Sequence, residues 1–217
     1  MKKYFLLTVF TLVATLWANA QNLDKMQWFN EPESYTIKNG TLEMDVPAQT
    51  DYWRIAHYGF TVDDGPFLYT TVGGEFEAKI KVSGDYKVRF DQAGMMIRKD
   101  HENYVKFGIE FVEGKFNISA VVTHNTTSDW SVIELKEPIP FLWLKAVRRL
   151  DAIELYYSFD DKEYTMMRTL WMQDNCPLMV GPVAACPDGQ GFKAVFSHFK
   201  VKHLPDQRRV EWLRNNQ

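Results

Sequence analysis

The sequence has no excess of basic residues. Its 217 residues include 25 Lys and Arg against 28 Asp and Glu, which gives a formal net charge of −3 at pH 7. Proteins that bind nucleic acids usually carry a basic surface, because Lys and Arg hold the phosphate backbone. We therefore expect no nucleic-acid partner. Hydrophobic residues make up 46% of the chain, which is too many for a disordered protein and predicts a single packed core.

Cysteine is almost absent, since the chain has only Cys176 and Cys186. This excludes a disulfide-rich scaffold. The intervening segment PLMVGPVAA is typical of a buried strand, which would hold the two residues roughly 33 Å apart, whereas the Cα atoms of a disulfide lie within about 7 Å of each other. We therefore expect two free, buried thiols. A turn at Gly181 and Pro182 is the alternative and would allow a disulfide.

Several catalytic and metal-binding patterns are also missing. There is no Gly-rich phosphate loop, no Ser-His-Asp spacing and no nucleophilic Cys motif, and the five His residues show no metal-ligand spacing. We expect no cofactor and no metal. One local exception is VDDGP, where the carboxylates of Asp63 and Asp64 could hold calcium, although a plain turn explains the same pattern.

The N-terminus carries the pattern of a secretory signal peptide. Lys2 and Lys3 precede the apolar run YFLLTVFTLVATLW, and the sequence ANA at 18–20 supplies a small-x-small cleavage pattern. We expect residues 1–20 to be removed, which leaves one domain at 21–217 in the periplasm or outside the cell. A membrane anchor is the alternative, but the apolar run is shorter than the ~20 residues that a spanning helix needs. No later segment could span a bilayer.

Helical periodicity is nearly absent after this leader, and short strands predominate. The predicted strands are rich in β-branched and aromatic residues, and Gly, Pro, Asn and Asp separate them. A short terminal helix in PDQRRVEWLRNN is the exception. Many short strands of this kind form a β-sandwich or a barrel. Besides the segment between the cysteines, the predicted strands are TLEMDVP, FEAKIKV, YKVRFD, AGMMIR, YVKFGIEF, KFNISAVVT, FLWLKAV, AIELYYSF, YTMMRTLW and FKAVFSHFKVK.

The segment from Asp91 to Thr123 predicts three antiparallel strands with a defined register. Apolar residues alternate with polar or small ones along each strand, so that one face is core and the other is wet. A two-residue turn at Glu113-Gly114 pairs Ile109 with Ile118, and the turn KDHEN continues the same pattern upstream. Every core residue then faces a core residue. A slip of one residue would turn a whole side of the sheet to water.

Three cross-strand rows form on the wet face of these strands. The middle row has almost no side chains, and we predict that it is a trough in which a polar ligand reaches the backbone. A Val in place of Gly108 would then fill the trough without loss of stability. The alternative is that the glycines mark a bend or bulge and that the charged residues are a solvated surface. The rows are Gln92, Glu110 and Asn117; Gly94, Gly108 and Ser119; and Met96, Lys106 and Val121.

Six motifs along the chain carry a resemblance to a known family. They are TDYWRIAHYGF (50–60), DQAGMMIR (91–98), YVKFGIEF (104–111), SDWS (128–131), YYSFDD (156–161) and VGPVAACPDGQGF (180–192). In this order they resemble the enolase-regulation-protein-like family, a domain of unknown function in the concanavalin A-like lectin and glucanase superfamily. The resemblance implies an all-β jelly-roll sandwich of two antiparallel sheets, with the concave sheet as the usual ligand side.

The resemblance supplies no catalytic residue, so the catalytic residues stay unknown. Sandwich glucanases of the superfamily commonly carry Glu-x-Asp-x-x-Glu on one strand, whereas EMDVPAQ from Glu43 lacks the third acid. Alternation leaves Glu110 and Glu154 as candidate acids on the wet face. Either could instead form an ion pair with Lys106 or Arg98.

We therefore predict an exported, lectin-like protein that binds a carbohydrate on its concave sheet. One alternative is a glycan hydrolase with a non-standard carboxylate pair, and another is a structural domain that binds a protein. In WRIAHYGF, the residues Trp53, Arg54 and His57 could face a sugar. The predicted ligand-binding residues are Trp53, Arg54, His57, Gln92, Gly94, Arg98, Lys106, Gly108, Glu110, Ser119, Trp130, Glu154 and Tyr156.

Overall fold

The structure of the protein is a computed structural model that describes residues 22–172, 176–207, 211 and 214. The predicted signal peptide and its cleavage site lie outside the described residues. A short 3₁₀-helix, Leu23–Lys25, precedes the strands. The strands are β1 (Gln27–Phe29), β2 (Tyr35–Lys38), β3 (Thr41–Val46), β4 (Tyr52–Arg54), β5 (Thr61–Asp63), β6 (Phe67–Val72), β7 (Phe76–Gly84), β8 (Gln92–Asp100), β9 (Asn103–Val112), β10 (Lys115–His124), β11 (Thr127–Glu134), β12 (Leu142–Arg149), β13 (Ala152–Ser158), β14 (Thr165–Trp171), β15 (Leu178–Ala185) and β16 (Phe192–His203).

These strands form two seven-stranded sheets in which all neighbours are antiparallel. The first sheet has the order β1-β6-β15-β8-β9-β10-β11, and the second has the order β14-β13-β12-β7-β16-β3-β2. A separate hairpin pairs β4 with β5. The prediction of an all-β sandwich of two antiparallel sheets is confirmed.

The core lies between the inner faces of the two sheets. Met95, Phe107 and Ile118 of the first sheet belong to the same apolar cluster as Ile80 and Leu144 of the second, and all five are at most 3% exposed. Burial of each such side chain contributes about 1.5–3 kcal/mol. Because inward residues alternate with outward ones along a strand, the outer face of each sheet carries an independent set of side chains.

The predicted register of the three central strands is confirmed. Ile109 pairs with Ile118 and Val112 with Lys115, on either side of the two-residue turn. Glu113 and Gly114 have φ values of 50° and 82°, as a type I′ hairpin turn requires. All three predicted cross-strand rows are present in β8, β9 and β10.

One predicted strand is wrong. The segment YKVRFD after β7 is a loop that spans residues 85–91. The side chain of Asp91 accepts hydrogen bonds from the backbone amides of Lys87 and Val88, both at 2.8 Å, and this local turn replaces pairing with a neighbouring strand. Sequence reasoning also missed the short or polar strands β1, β2, β4, β5, β6 and β11.

The C-terminal segment agrees with the predicted helix only in part. Gln207, Glu211 and Arg214 have helical backbone conformation, and the rest of that prediction lies outside the described residues. None of the helical segments that the structure describes has the length and apolar character that crossing a membrane would take.

Neither cysteine forms a disulfide, as predicted. Cys186 is fully buried directly after β15, whereas Cys176 is partly exposed before it. The segment between them is the extended strand Leu178–Ala185, which confirms that the chain does not turn back at Gly181 and Pro182.

Candidate functional site

The outer face of the first sheet is covered by the β4–β5 hairpin. β4 contacts β10 and β11, and Tyr52 joins a small apolar cluster with Met96 and Tyr104, each 0% exposed. Arg98 binds the Asp63 carboxylate with both terminal nitrogens, and Nη2 donates to Oδ2 at 2.6 Å. The prediction that this face is wet is therefore wrong here, because the hairpin excludes water from it.

The row of small residues is a site of close strand approach. A Cβ atom on Gly108 would lie 2.2 Å from the carbonyl oxygen of Ala93, and one on Gly94 would lie 1.9 Å from the carbonyl oxygen of Phe107. The space above Gly94, Gly108 and Ser119 is only about 10 Å³, roughly the volume one water needs. The predicted ligand trough is therefore wrong, as is the expectation that Val is tolerated at Gly108, because the neighbouring backbone fills that space.

A larger cavity of about 270 Å³ lies between the hairpin, the sheet and two loops. This volume is close to the lower end of the ~300–1,000 Å³ range of small-molecule sites. The cavity is lined by Asp51, Trp53, Tyr58, Phe60, Arg89, Phe90, Gln92, Lys106, Glu110, Val121, Trp130, Pro187 and Asp188. We call it the aromatic cavity.

Aromatic rings form two walls of the aromatic cavity. On the hairpin side, Tyr58 stacks with Phe60 at a centroid distance of 5.6 Å and meets Trp53 edge-on at the same distance. On the sheet side, Phe90 and Trp130 meet edge-on at 6.1 Å. Tyr58, Phe60 and Trp130 are 48%, 44% and 38% exposed. Exposed rings of this size present large, rigid contact areas to a ligand.

The floor of the aromatic cavity is a polar network centred on Lys106. Its Nζ donates to Asp51 Oδ1 at 2.8 Å and to Gln92 Oε1 at 2.5 Å. Gln92 is fixed in turn by donating from Nε2 to the carbonyl oxygen of Phe90 at 3.1 Å. Lys106 and Gln92 are only 6% and 9% exposed. Polar groups fixed in this way can meet a ligand without rearrangement.

Glu110 is the buried carboxyl group of the floor. It is 4% exposed, and its Oε2 accepts a hydrogen bond from Trp130 Nε1 at 2.8 Å. Burial raises the pKa of Glu110, although Lys106 and hydrogen bonds from Ser119 and Trp130 act in the opposite direction. The Glu110 carboxyl thus holds the Trp130 ring over the floor. It is protonated at a higher pH than an exposed carboxyl is.

Two loops complete the rim of the aromatic cavity. Cys186 donates from Sγ to Asp91 Oδ1 at 3.0 Å, which joins the loop after β15 to the loop before β8. Arg89 donates from Nε to Asp188 Oδ2 at 2.7 Å and joins the same two loops at the surface. Burial, followed by the bond to Asp91, raises the pKa of Cys186 to about 11, so the thiol stays protonated and is inert at neutral pH.

The structure brings five of the predicted ligand-binding residues together at the aromatic cavity. Trp53, Gln92, Lys106, Glu110 and Trp130 all line it. They come from β4, β8, β9 and β11, and the register of β8, β9 and β10 with β11 places the last four on one face.

Other predicted ligand-binding residues lie elsewhere. The Arg98 guanidinium forms an ion pair with the Asp63 carboxylate. Arg54 forms an ion pair with Glu102 at 3.6 Å, and His57 is exposed near the hairpin tip with its ring 4.6 Å from Tyr58.

Glu154 and Tyr156 lie in a different sheet from the predicted ligand-binding residues of β8, β9 and β10. Both lie on β13 of the second sheet, where Tyr156 donates to Glu154 Oε2 at 2.7 Å. The sequence prediction that Glu154 shares a face with Glu110 is wrong, because alternation fixes the face of a strand but not the sheet to which the strand belongs. A carboxylate pair of Glu110 and Glu154 is not assembled.

The predicted ligand-binding set lacks eight lining residues: Asp51, Tyr58, Phe60, Arg89, Phe90, Val121, Pro187 and Asp188. Tyr58 and Phe60 stand in the motif that contains Trp53, and the aromatic content of that motif was a usable signal. The loop residues gave none, since their approach depends on contacts between segments that are distant in sequence.

The calcium alternative at VDDGP finds no support in the geometry. Asp63 is paired with Arg98, and Asp64 Oδ1 accepts the backbone amide of Asp51 at 2.8 Å. In the part of the chain that the structure describes, no group of three or more His, Cys, Asp or Glu side chains could hold a metal ion.

Comparison with known families and relatives gives a consistent result. The family described as "Protein of unknown function (DUF1349)" matches residues 28–204. "Regulation of enolase protein 1" of Saccharomyces cerevisiae is 33% identical over 179 residues, which cover 82% of this chain and 90% of the relative. A solved structure of a functionally unknown protein from S. cerevisiae matches with a TM-score of 0.80 and 32% identity, and covers 84% of this chain and 98% of that one.

More distant solved structures share the fold. A legume lectin-like domain from Entamoeba histolytica matches with a TM-score of 0.53 at 10% identity, covering 84% of this chain and 91% of the other. Xylan beta-1,4-xylosidase from Bacillus halodurans matches with a TM-score of 0.61 at 17% identity over 76% of this chain, but over only 33% of the enzyme. The sandwich has the architecture of the concanavalin A-like lectins.

Proposed function

The chain belongs to the DUF1349 family of proteins of unknown function, and we propose that its aromatic cavity binds a neutral carbohydrate. The observation that carries the proposal is the combination of aromatic walls, formed by Tyr58, Phe60 and Trp130, with a fixed polar floor at Lys106 and Glu110. Sugars present apolar C–H faces and many hydroxyl groups, so rings and hydrogen-bonding side chains in one cavity match both.

The charges at the aromatic cavity favour a neutral ligand over an ionic one. Lys106 is paired with Asp51, and Arg89 is paired with Asp188. A charged ligand would have to compete with these pairs, whereas hydroxyl groups can add hydrogen bonds to the same atoms. The volume of about 270 Å³ suits one or two sugar rings rather than an enclosed longer chain.

The lectin-like relative supports the proposal only through its fold, since its identity to this chain is 10%.

The geometry supports binding better than hydrolysis. Glu110 could act as a general acid because its pKa is raised, but the other two carboxyls at the cavity are engaged. Asp51 accepts from Lys106 and from the backbone amide of Tyr52 at 2.7 Å, and Asp188 is paired with Arg89 at 2.7 Å. A glycosidase needs a second carboxyl group that is available as base or nucleophile.

A glycan array, followed by calorimetry on the best neutral glycan, tests the proposal. Trp130→Ala removes one wall and should weaken binding by about tenfold or more, as for other aromatic anchors. Trp171→Ala removes an exposed ring of β14, outside the cavity, and should leave the affinity unchanged. Reducing-sugar release is measured in the same samples. Release would favour a hydrolase, and the absence of any glycan binding would favour a protein-interaction domain.

We also propose that the protein is exported, with residues 1–20 removed as a signal peptide. Mass spectrometry of the protein purified from the cell envelope and the medium should then find Gln21 as the first residue. A chain that retains Met1 through Ala20 would contradict this part of the proposal without affecting the carbohydrate site.

A further inference from the structure

A row of lysines crosses the outer face of the second sheet. Lys200 of β16 pairs with Lys79 of β7, and Lys79 pairs with Lys145 of β12. Directly opposite residues have Cβ atoms about 4.5–5.5 Å apart, and like charges in such positions destabilise a sheet. Three adjacent lysines therefore do not stabilise the fold. An overall excess of basic residues does not explain them either, since the net charge of the whole chain is −3.

Aromatic rings surround the ammonium groups on this face. Lys145 Nζ lies 4.6 Å from the ring centroid of Tyr156 and 4.2 Å from that of Tyr164. Such contacts hold a lysine by cation–π attraction and keep its charge at the surface. The second row of the face continues the pattern, since Lys81 pairs with Trp143.

Trp143 lies between two of the lysines. The ammonium groups of Lys79 and Lys81 are 5.2 Å and 5.9 Å from its ring centroid, and the residue is only 9% exposed. Lysine stems often cover apolar surface in this way. Covering the ring requires only the stems, however, and uncharged side chains of similar length would cover it without repulsion. We call the set Lys79, Lys81, Trp143, Lys145, Tyr156, Tyr164 and Lys200 the lysine–aromatic surface.

The positive charge of the lysine–aromatic surface is only partly balanced. Asp161 forms an ion pair with Lys79 at 2.7 Å and also accepts a hydrogen bond from Tyr164 at 2.6 Å. Within the described residues, Lys81, Lys145 and Lys200 form no ion pair. Two other carboxylates of the face, Glu77 and Glu154, lie in the adjacent cross-strand row, where Glu77 pairs with Lys202.

We propose that the lysine–aromatic surface binds an acidic polysaccharide. Carboxylates along the polymer would pair with the lysine row and relieve its repulsion, and the sugar rings would lie on Tyr156 and Tyr164. An outer sheet face with charges on several adjacent strands suits an extended polymer better than a cavity of about 270 Å³ does. This surface is separate from that cavity, because the two lie on the outer faces of different sheets.

The test measures binding of the full mature chain to polygalacturonate and to its fully methyl-esterified form at low salt. The two polymers share a backbone and differ in charge. We expect binding of the acidic form only, weakened by added salt because the contacts are ionic and exposed. Lys145→Gln combined with Lys200→Gln should weaken it by about tenfold or more. The matched double variant Lys115→Gln with Lys136→Gln, which changes the net charge equally at two exposed lysines, at the start of β10 and after β11, should stay within about twofold.

Three results of these measurements would overturn the proposal, and a further variant provides a fourth. The three are no binding of polygalacturonate at low salt, an equal loss in the matched double variant, and tighter binding of a single-stranded oligonucleotide of the same charge, which would replace the polysaccharide with a nucleic acid. Trp130→Ala should leave polygalacturonate binding unchanged. If that variant abolished it, the acidic polymer would be bound at the aromatic cavity and the lysine–aromatic surface would have no role. Loss of neutral-glycan binding alone bears only on the cavity.

Discussion

Lys106 of β9 and Asp51, which precedes β4, form an ion pair of 2.8 Å that joins the first sheet to its covering hairpin. The side chains are 7% and 18% exposed, so solvent screens the pair only weakly. A buried pair of this kind stabilises little over an apolar contact, but removal of one partner leaves an uncompensated charge.

Lys106→Met should therefore lower the free energy of unfolding by about 3 kcal/mol. Urea denaturation of Lys106→Met, Asp51→Asn and the double variant measures the effect. The double variant should lose less stability than the two single variants lose together. The reason is that it contains neither an unpaired Lys106 ammonium nor an unpaired Asp51 carboxylate. Strict additivity would show that the two side chains do not stabilise each other.

Gly108→Ala should destabilise the protein by about 1–3 kcal/mol, the usual range for overpacking. The added Cβ would lie 2.2 Å from a carbonyl oxygen of β8, so one of the two strands has to move. Gly73→Ala is the matched control, since nothing lies within 4 Å of a Cβ there. Thermal unfolding compares the two variants. Equal melting temperatures would mean that the strands separate easily and that the row of small residues can admit a ligand after all.

Glu110 should make the stability depend on pH. Burial raises its pKa, so the folded state keeps the proton to a higher pH than the unfolded state does. The free energy of unfolding should therefore fall as the pH rises from the ordinary carboxyl pKa through the raised one. In Glu110→Gln this contribution is absent, and the variant should gain stability relative to the natural protein with rising pH. Urea titrations at several pH values test this, and parallel pH profiles would contradict it.

The two cysteines should differ in reactivity. Cys186 is 0% exposed and its pKa is raised to about 11, so it should resist a thiol reagent in the folded protein. After unfolding without reductant, both thiols should be labelled. A mass two hydrogens lower, with no labelling, would show a disulfide and would contradict the extended course of β15.

The central strands were predictable because their information is local. Alternation and the Glu113-Gly114 turn set the register of β8, β9 and β10, since any slip would expose the apolar side. The strand predicted at Tyr86–Asp91 failed because a single carboxylate, Asp91, turns the backbone instead. The alternation of apolar and polar residues does not show whether a segment forms a local turn or pairs with a distant strand.

The sequence by itself determined the all-β class, the free cysteines and the polar set Gln92, Lys106 and Glu110, because each follows from spacing along one or two neighbouring strands. Only the tertiary structure decided what those residues do. It placed Tyr58 and Phe60 over the floor through a hairpin that β10 and β11 support, and it closed the glycine row by backbone approach. It also placed Tyr156 on the outer face of the second sheet. The physical reason is that alternation defines two faces of each strand, whereas the partner of each face is set by packing between segments far apart in the chain.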